Sequence, residues 1–148
     1  MTLSLDPGFR TGWARSDGRT GILDLSVYED HGHAAAVFHD WLDKELTRDR
    51  PISLAVERAI FTGRMKHADL TLALIRIAHM VAWSHDVPRT EKTAQEVRGW
   101  LVGKYRGATD AEVIAAVNAR GFRVTKSHEA DAAALLCACE CRQIRQAA

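Results

Sequence analysis

The chain lacks most of the features that would place it outside ordinary globular proteins. No long hydrophobic run is present: the longest apolar stretch, Leu70 to Trp83, is interrupted by Thr71, Arg76 and His79. It falls short of the roughly 20 residues that a membrane span needs. The N-terminus opens into a strand-like segment, with no basic region followed by an apolar one, so no secretion signal is expected and a cytoplasmic location is. Repeats, low-complexity tracts and linkers are absent. Cysteine is scarce, with three residues alternating in Cys137-Ala138-Cys139-Glu140-Cys141. That spacing is not the Cys-x-x-Cys of a zinc site, and the thiols read as small buried side chains.

Net charge is also nearly missing, at +1 over 148 residues, but it is unevenly spread. Residues 1–56 carry six Lys/Arg against nine Asp/Glu, whereas residues 89–126 carry eight against four. A basic region of this kind fits either a polyanion site or a solvated surface. The length suits one domain with a real core, and 47% hydrophobic with 26% charged residues is a globular composition.

What is present is a set of acids in runs that otherwise read as buried. Asp6 lies in Leu3-Ser4-Leu5-Asp6-Pro7-Gly8, Glu57 in Leu54-Ala55-Val56-Glu57, and Asp131 in Ala130-Asp131-Ala132-Ala133-Ala134-Leu135-Leu136. A buried carboxylate changes protonation, pairs, or binds a metal, because an unpaired one is too costly. Three of them, far apart in sequence, point to one shared cation site.

The pattern around them is α/β. Thr2–Leu5, Thr11–Arg15 and Gly21–Tyr28 read as strands of an antiparallel meander, with a turn at Ser16-Asp17-Gly18-Arg19. Ala34–Leu46 has helical periodicity, and Ile52–Glu57 reads as a fourth strand opened by Pro51. Residues 65–86 form a helix apolar nearly all the way round, which needs cover on every side and suggests a homodimer. A short strand near Val87–Arg89 is expected. Thr93-Ala94-Gln95-Glu96 and Thr109-Asp110-Ala111-Glu112 both fit the capping box. Gly121 ends the second of the helices so started, Phe122-Arg123-Val124 reads as a brief extended piece, and Ser127 as the N-cap of a last helix running to about Arg145.

On that last helix His128 and Asp131, three positions apart, share a face in the first turn, and the helix dipole favours an ionised Asp131 there. Hard divalent cations such as Mg²⁺ prefer carboxylate oxygens, and an added His nitrogen suits Mn²⁺ better. Two such ions support phosphodiester hydrolysis. Asp6, Glu57, His128 and Asp131 are therefore the candidate catalytic and metal-binding residues.

At these residues the chain resembles the RuvC family of Holliday-junction resolvases. Leu3 to Ala14 is similar to the family's first strand and turn, Leu54-Ala55-Val56-Glu57 to its fourth strand, and His128-Glu129-Ala130-Asp131-Ala132-Ala133-Ala134-Leu135 to its final acidic helix. The resemblance spans nearly the whole chain and implies a single RNase H-like domain with a mixed five-stranded sheet. It further implies a homodimer, Mg²⁺ or Mn²⁺, and paired nicks in four-way or other branched DNA. Asp6, Glu57, His128 and Asp131 match the family's metal positions. Arg10, Phe61, Lys92, Arg98 and Lys104 are the corresponding DNA-binding candidates. The family usually has an aromatic three positions after the fourth-strand Glu; here that position is Ile60, and Phe61 comes one later. The loop after Gly8 is also a residue shorter than is common, so a phage-type enzyme with a broader taste for branched DNA fits as well as a sequence-selective one. The alternatives are a YqgF-like nuclease acting on RNA, which Gly12 to Asp17 also resembles, and a non-catalytic DNA-binding member of the fold.

Overall fold

The computed structural model describes residues 1–51, 53–60 and 67–147, and side chains as far as Glu140. The strands are β1 (Thr2–Asp6), β2 (Arg10–Arg15), β3 (Thr20–Asp24), β4 (Ser53–Arg58) and β5 (Arg89–Thr93). The helices are α1 (His31–Arg48), α2 (Ala68–Ser84), α3 (Ala94–Val102), α4 (Asp110–Asn118) and α5 (Ser127–Ala147). One sheet in the order β3-β2-β1-β4-β5 results, antiparallel across β1, β2 and β3 and parallel across β1, β4 and β5.

Strand alternation sorts side chains to the two faces. Leu3, Leu5, Leu54 and Val56 point to one core, shared with Phe38, Leu42, Leu74 and Ala78 of α1 and α2. Ala14 and Ala55 point to the other, shared with Val113, Val117, Ala132, Ala133, Leu135 and Leu136 of α4 and α5. Leu3, Leu5, Leu54, Leu135 and Leu136 are fully buried, each contributing roughly 2 kcal/mol of apolar transfer. Asp6 and Glu57 fall in phase with the second set of strand positions, on the α5 face.

Two small residues set how closely α5 approaches the sheet. At Gly12 an added Cβ would lie 1.9 Å from the carbonyl oxygen of His128, so the first turn of α5 rests directly on the β2 backbone. One turn on, the buried Ser4 hydroxyl donates to the Ala132 carbonyl at 2.6 Å, tying β1 to the helix.

Both capping boxes form. Thr93 Oγ1 accepts from the Glu96 amide at 3.2 Å while Glu96 accepts from the Thr93 amide at 2.7 Å, and Thr109 and Glu112 repeat the pattern. Several boundaries differ from the sequence reading. Strand β3 ends at Asp24, whose carboxylate turns to accept from the Ser26 amide. Helix α1 begins three residues before Ala34, because Asp30 caps it through the His33 amide. The fifth strand lies at Arg89–Thr93 rather than Val87–Arg89. The segment around Val124 is held by Asn118 side-chain hydrogen bonds instead of forming a strand. Ser127 is the first helical residue of α5, not its cap. Ile52 and residues 65–66, expected to open β4 and α2, lie outside the described residues.

Candidate active site

β1 and β4 are parallel neighbours in the register Leu5↔Val56, so Asp6 and Glu57, the next residue on each, stand on adjacent strands roughly 5 Å apart in backbone. Helix α5 crosses above them and brings His128 and Asp131 down from its first turn. His128 Nδ1 donates to Asp6 Oδ2 at 3.3 Å. The Asp6 and Asp131 side chains are only 16% and 18% exposed, which keeps water from screening their charges.

The three acids act on one another electrostatically. Burial, and then the charges of Asp6 and Asp131, push the Glu57 carboxyl well above the usual carboxylate range, against an opposing pull from Arg98. Burial and the Asp6 charge likewise raise Asp131 to about 6. The hydrogen bond to Asp6 raises His128 above its ordinary value. Two carboxyls made reluctant to ionise by a third mark a site with more negative charge than the fold alone compensates. A divalent cation is the complement of that donor set.

Among the described residues, no group of three or more His, Cys, Asp or Glu side chains is already gathered tightly enough to hold an ion. Protein contacts engage these side chains instead: Asp6 faces His128, and Asp131 faces Arg98, whose Nη2 lies 3.1 Å from Oδ1 and 3.4 Å from Oδ2. The four candidate residues thus converge on one place without forming a coordination shell.

The DNA-binding candidates are dispersed. Arg10 is exposed and lines a cleft of about 600 Å³ with Ile22, Asp24, Lys126, Ser127 and His128, immediately beside the acids. Arg98 departs from the sequence reading: it turns inward, where its Nη2 is shared between the Asp131 and Asp110 carboxylates, each 3.1 Å away. Lys92 departs too. It is 7% exposed, on the α5 face of β5 in register with Glu57, and lines a small cavity with Glu96, Trp100, Tyr105 and Ala138. Lys104 is half-exposed and paired with Glu112. Phe61 lies outside the described residues, and Ile60 before it is 54% exposed. Sequence reasoning missed Lys126, which the charge of residues 89–126 included without singling out, and Gly12 and Ser4, which seat α5. Cys137 is half-buried and Cys139 buried; the Cys141 side chain is outside the described residues.

Comparison with solved structures gives the topology a counterpart. Thermus thermophilus RuvC superposes with a TM-score of 0.74 at 23% identity, covering 90% of this chain and 89% of that one. The fold is shared with RuvC. The same T. thermophilus RuvC in complex with a Holliday junction substrate matches with a TM-score of 0.72 at 21% identity and the same coverage. The yeast mitochondrial Holliday junction resolvase Ydc2 matches with a TM-score of 0.62 at 12% identity, covering 90% of this chain and 75% of that one. No family model and no curated protein matches the sequence. What the chain has in common with RuvC is therefore the RNase H-like architecture, a mixed five-stranded sheet flanked by helices. No helix among the described residues is long and apolar enough to cross a membrane.

Proposed function

We propose that the chain is a divalent-metal-dependent endodeoxyribonuclease that resolves four-way junctions, or other branched DNA, by paired phosphodiester hydrolysis. The observation that carries this reading is the convergence of Asp6, Glu57 and Asp131 from β1, β4 and α5 into one patch of uncompensated charge, in a fold shared with resolvases. One of those neighbours was solved on a Holliday junction.

Asp6 and Glu57, fixed on adjacent strands, would supply oxygen ligands from a rigid floor, and Asp131 would supply another from the helix above. His128, whose hydrogen bond to Asp6 raises its pKa above the ordinary value, would add a nitrogen ligand only when neutral, as a ligating imidazole must be. When bound, Mg²⁺ or Mn²⁺ supplies an activated water and stabilises charge on the leaving oxygen. Arg10 and Lys126, in the cleft beside His128, hold phosphates flanking the scissile one. Lys104, from the loop between α3 and α4, neutralises a second stretch of backbone.

Two copies would deliver the paired cuts. Helix α2 supports this arrangement, since Leu72, Met80 and Trp83 are exposed by 44%, 54% and 74% while its other face is buried in the core. A monomer in sedimentation at the concentrations that cut junctions would remove the dimer from this reading.

The substrate is tested by incubating the protein with four-way-junction, flap, fork and duplex DNA and with structured RNA, comparing Mg²⁺ with Mn²⁺. Symmetrical nicks in the junction are expected, with duplex left intact. Preferential cleavage of RNA, or metal-independent cleavage, would overturn the proposal.

A further inference from the structure

The Arg98 guanidinium is held at the edge of the site by more than one acid. Its Nη2 lies 3.1 Å from Asp131 Oδ1 and 3.1 Å from Asp110 Oδ1, so that nitrogen's two protons serve two carboxylates. Nη1 donates to the Ala108 carbonyl at 2.9 Å. The side chain is only 24% exposed, and it rises from α3, whose start is fixed by the Thr93 capping box. Arg98 is also the basic residue that opposes the pKa rise of both Glu57 and Asp131. Both Asp131 oxygens face this guanidinium, at 3.1 and 3.4 Å, and a carboxylate so engaged is not presented to an incoming ion.

We propose that Arg98 is a resident counter-ion of the site: it occupies Asp131 in the metal-free protein and releases that carboxylate, while keeping Ala108 and Asp110, when a divalent cation binds. The inference rests on the metal-site reading given above. Its physical basis is charge. A guanidinium stabilises the cluster of acids in the absence of metal, and becomes a like charge beside the cation once the metal arrives. The Ala108 carbonyl and Asp110 give the guanidinium partners that do not depend on Asp131, so release breaks one ion pair without stranding a buried cation. Arg98 is thus a positioning residue acting through Asp131, and it sets how much free metal the DNA-free protein requires.

Two measurements on the full chain test this. Calorimetric titration of DNA-free protein with Mn²⁺, at a pH well above the Asp131 midpoint, compares wild type with Arg98→Gln and Asp131→Asn. Removing the cation that competes for Asp131 is expected to make Arg98→Gln bind Mn²⁺ about tenfold more tightly than wild type, the scale on which groups touching a metal's ligands change affinity, and Asp131→Asn is expected to bind more weakly. Equal or weaker binding by folded Arg98→Gln, with Asp131→Asn impaired, overturns the counter-ion inference and leaves the metal site standing. Unimpaired binding by Asp131→Asn overturns the metal-site reading itself. The second measurement needs no variant: the Arg98 guanidinium nitrogen resonances of wild-type protein are followed through a Mg²⁺ titration. They are expected to shift with the binding midpoint as the Asp131 contact is lost, and resonances that stay fixed through saturation refute the release.

Discussion

Replacing Asp131 by Asn should stabilise the metal-free protein, although it removes an ion pair. The Asp131 carboxyl is raised from 3.8 to about 6 by burial and by Asp6, after the favourable effect of Arg98 has been counted. A carboxyl with a raised folded-state pKa adds stability at low pH, where both states hold the proton, and that stability is lost as pH climbs from near 3.8 through about 6. Moving the midpoint from 3.8 to about 6 corresponds to an upper value of about 3 kcal/mol at neutral pH. Asn keeps the size of the side chain without the charge, and Arg98 retains Asp110. Thermal melts in chelator should therefore show Asp131→Asn melting above wild type at neutral pH, by up to about 6–12 °C, with the gap closing toward pH 4. Mg²⁺ should narrow the gap, since a ligand at a hundred times its Kd stabilises wild type by about 2.7 kcal/mol and the variant by less. A variant less stable than wild type in chelator at neutral pH would refute the reasoning, because the Arg98 ion pair would then outweigh the cost of the crowded charge.

Gly12→Ala should be strongly destabilising and should dislodge the first turn of α5, because its Cβ would overlap the His128 carbonyl and both partners are backbone. A denaturation midpoint within error of wild type would show that the helix has room to move. The His128 ring should titrate above 6.5 by NMR and return toward it in Asp6→Asn; its partnership with Asp6 adds stability that is present below 6.5 and lost as pH rises through the folded midpoint. A midpoint unmoved by the substitution would sever that link. Arg10→Ala and Lys126→Ala should each weaken junction binding and lower the salt slope by about one, whereas a slope equal to wild type would take the cleft beside His128 off the DNA path.

Acids announce themselves in a sequence because they violate the pattern around them, and Asp6, Glu57 and Asp131 were legible for that reason. Their convergence follows from topology that the alternating strands and the helix start of residues 127–131 already suggested. The devices that bring α5 onto the sheet were not legible. Gly12 and Ser4 look like ordinary small strand residues, and what approaches them comes from over a hundred positions away. The strand β5 was misplaced because Arg-Thr-Glu-Lys-Thr shows no apolar alternation; pairing with Leu54–Arg58 makes it extended. Basic residues were hardest to read, since charge alone does not fix direction. Lys92 and Arg98 face inward. Arg15, read only as the end of a strand, is fully buried against Asp49 and Glu45 at 2.9 and 3.3 Å, locking β2 to the end of α1.

The most direct measurement is the rate of four-way-junction cleavage by folded Glu57→Gln compared with wild type under saturating Mg²⁺ and equal junction occupancy. Glu57 touches no part of the proposed DNA-binding cleft, and Gln preserves its shape while removing the charged ligand. Loss of cleavage by about a hundredfold to a thousandfold with junction binding retained is expected if the buried acids carry the chemistry. Cleavage at the wild-type rate would contradict it.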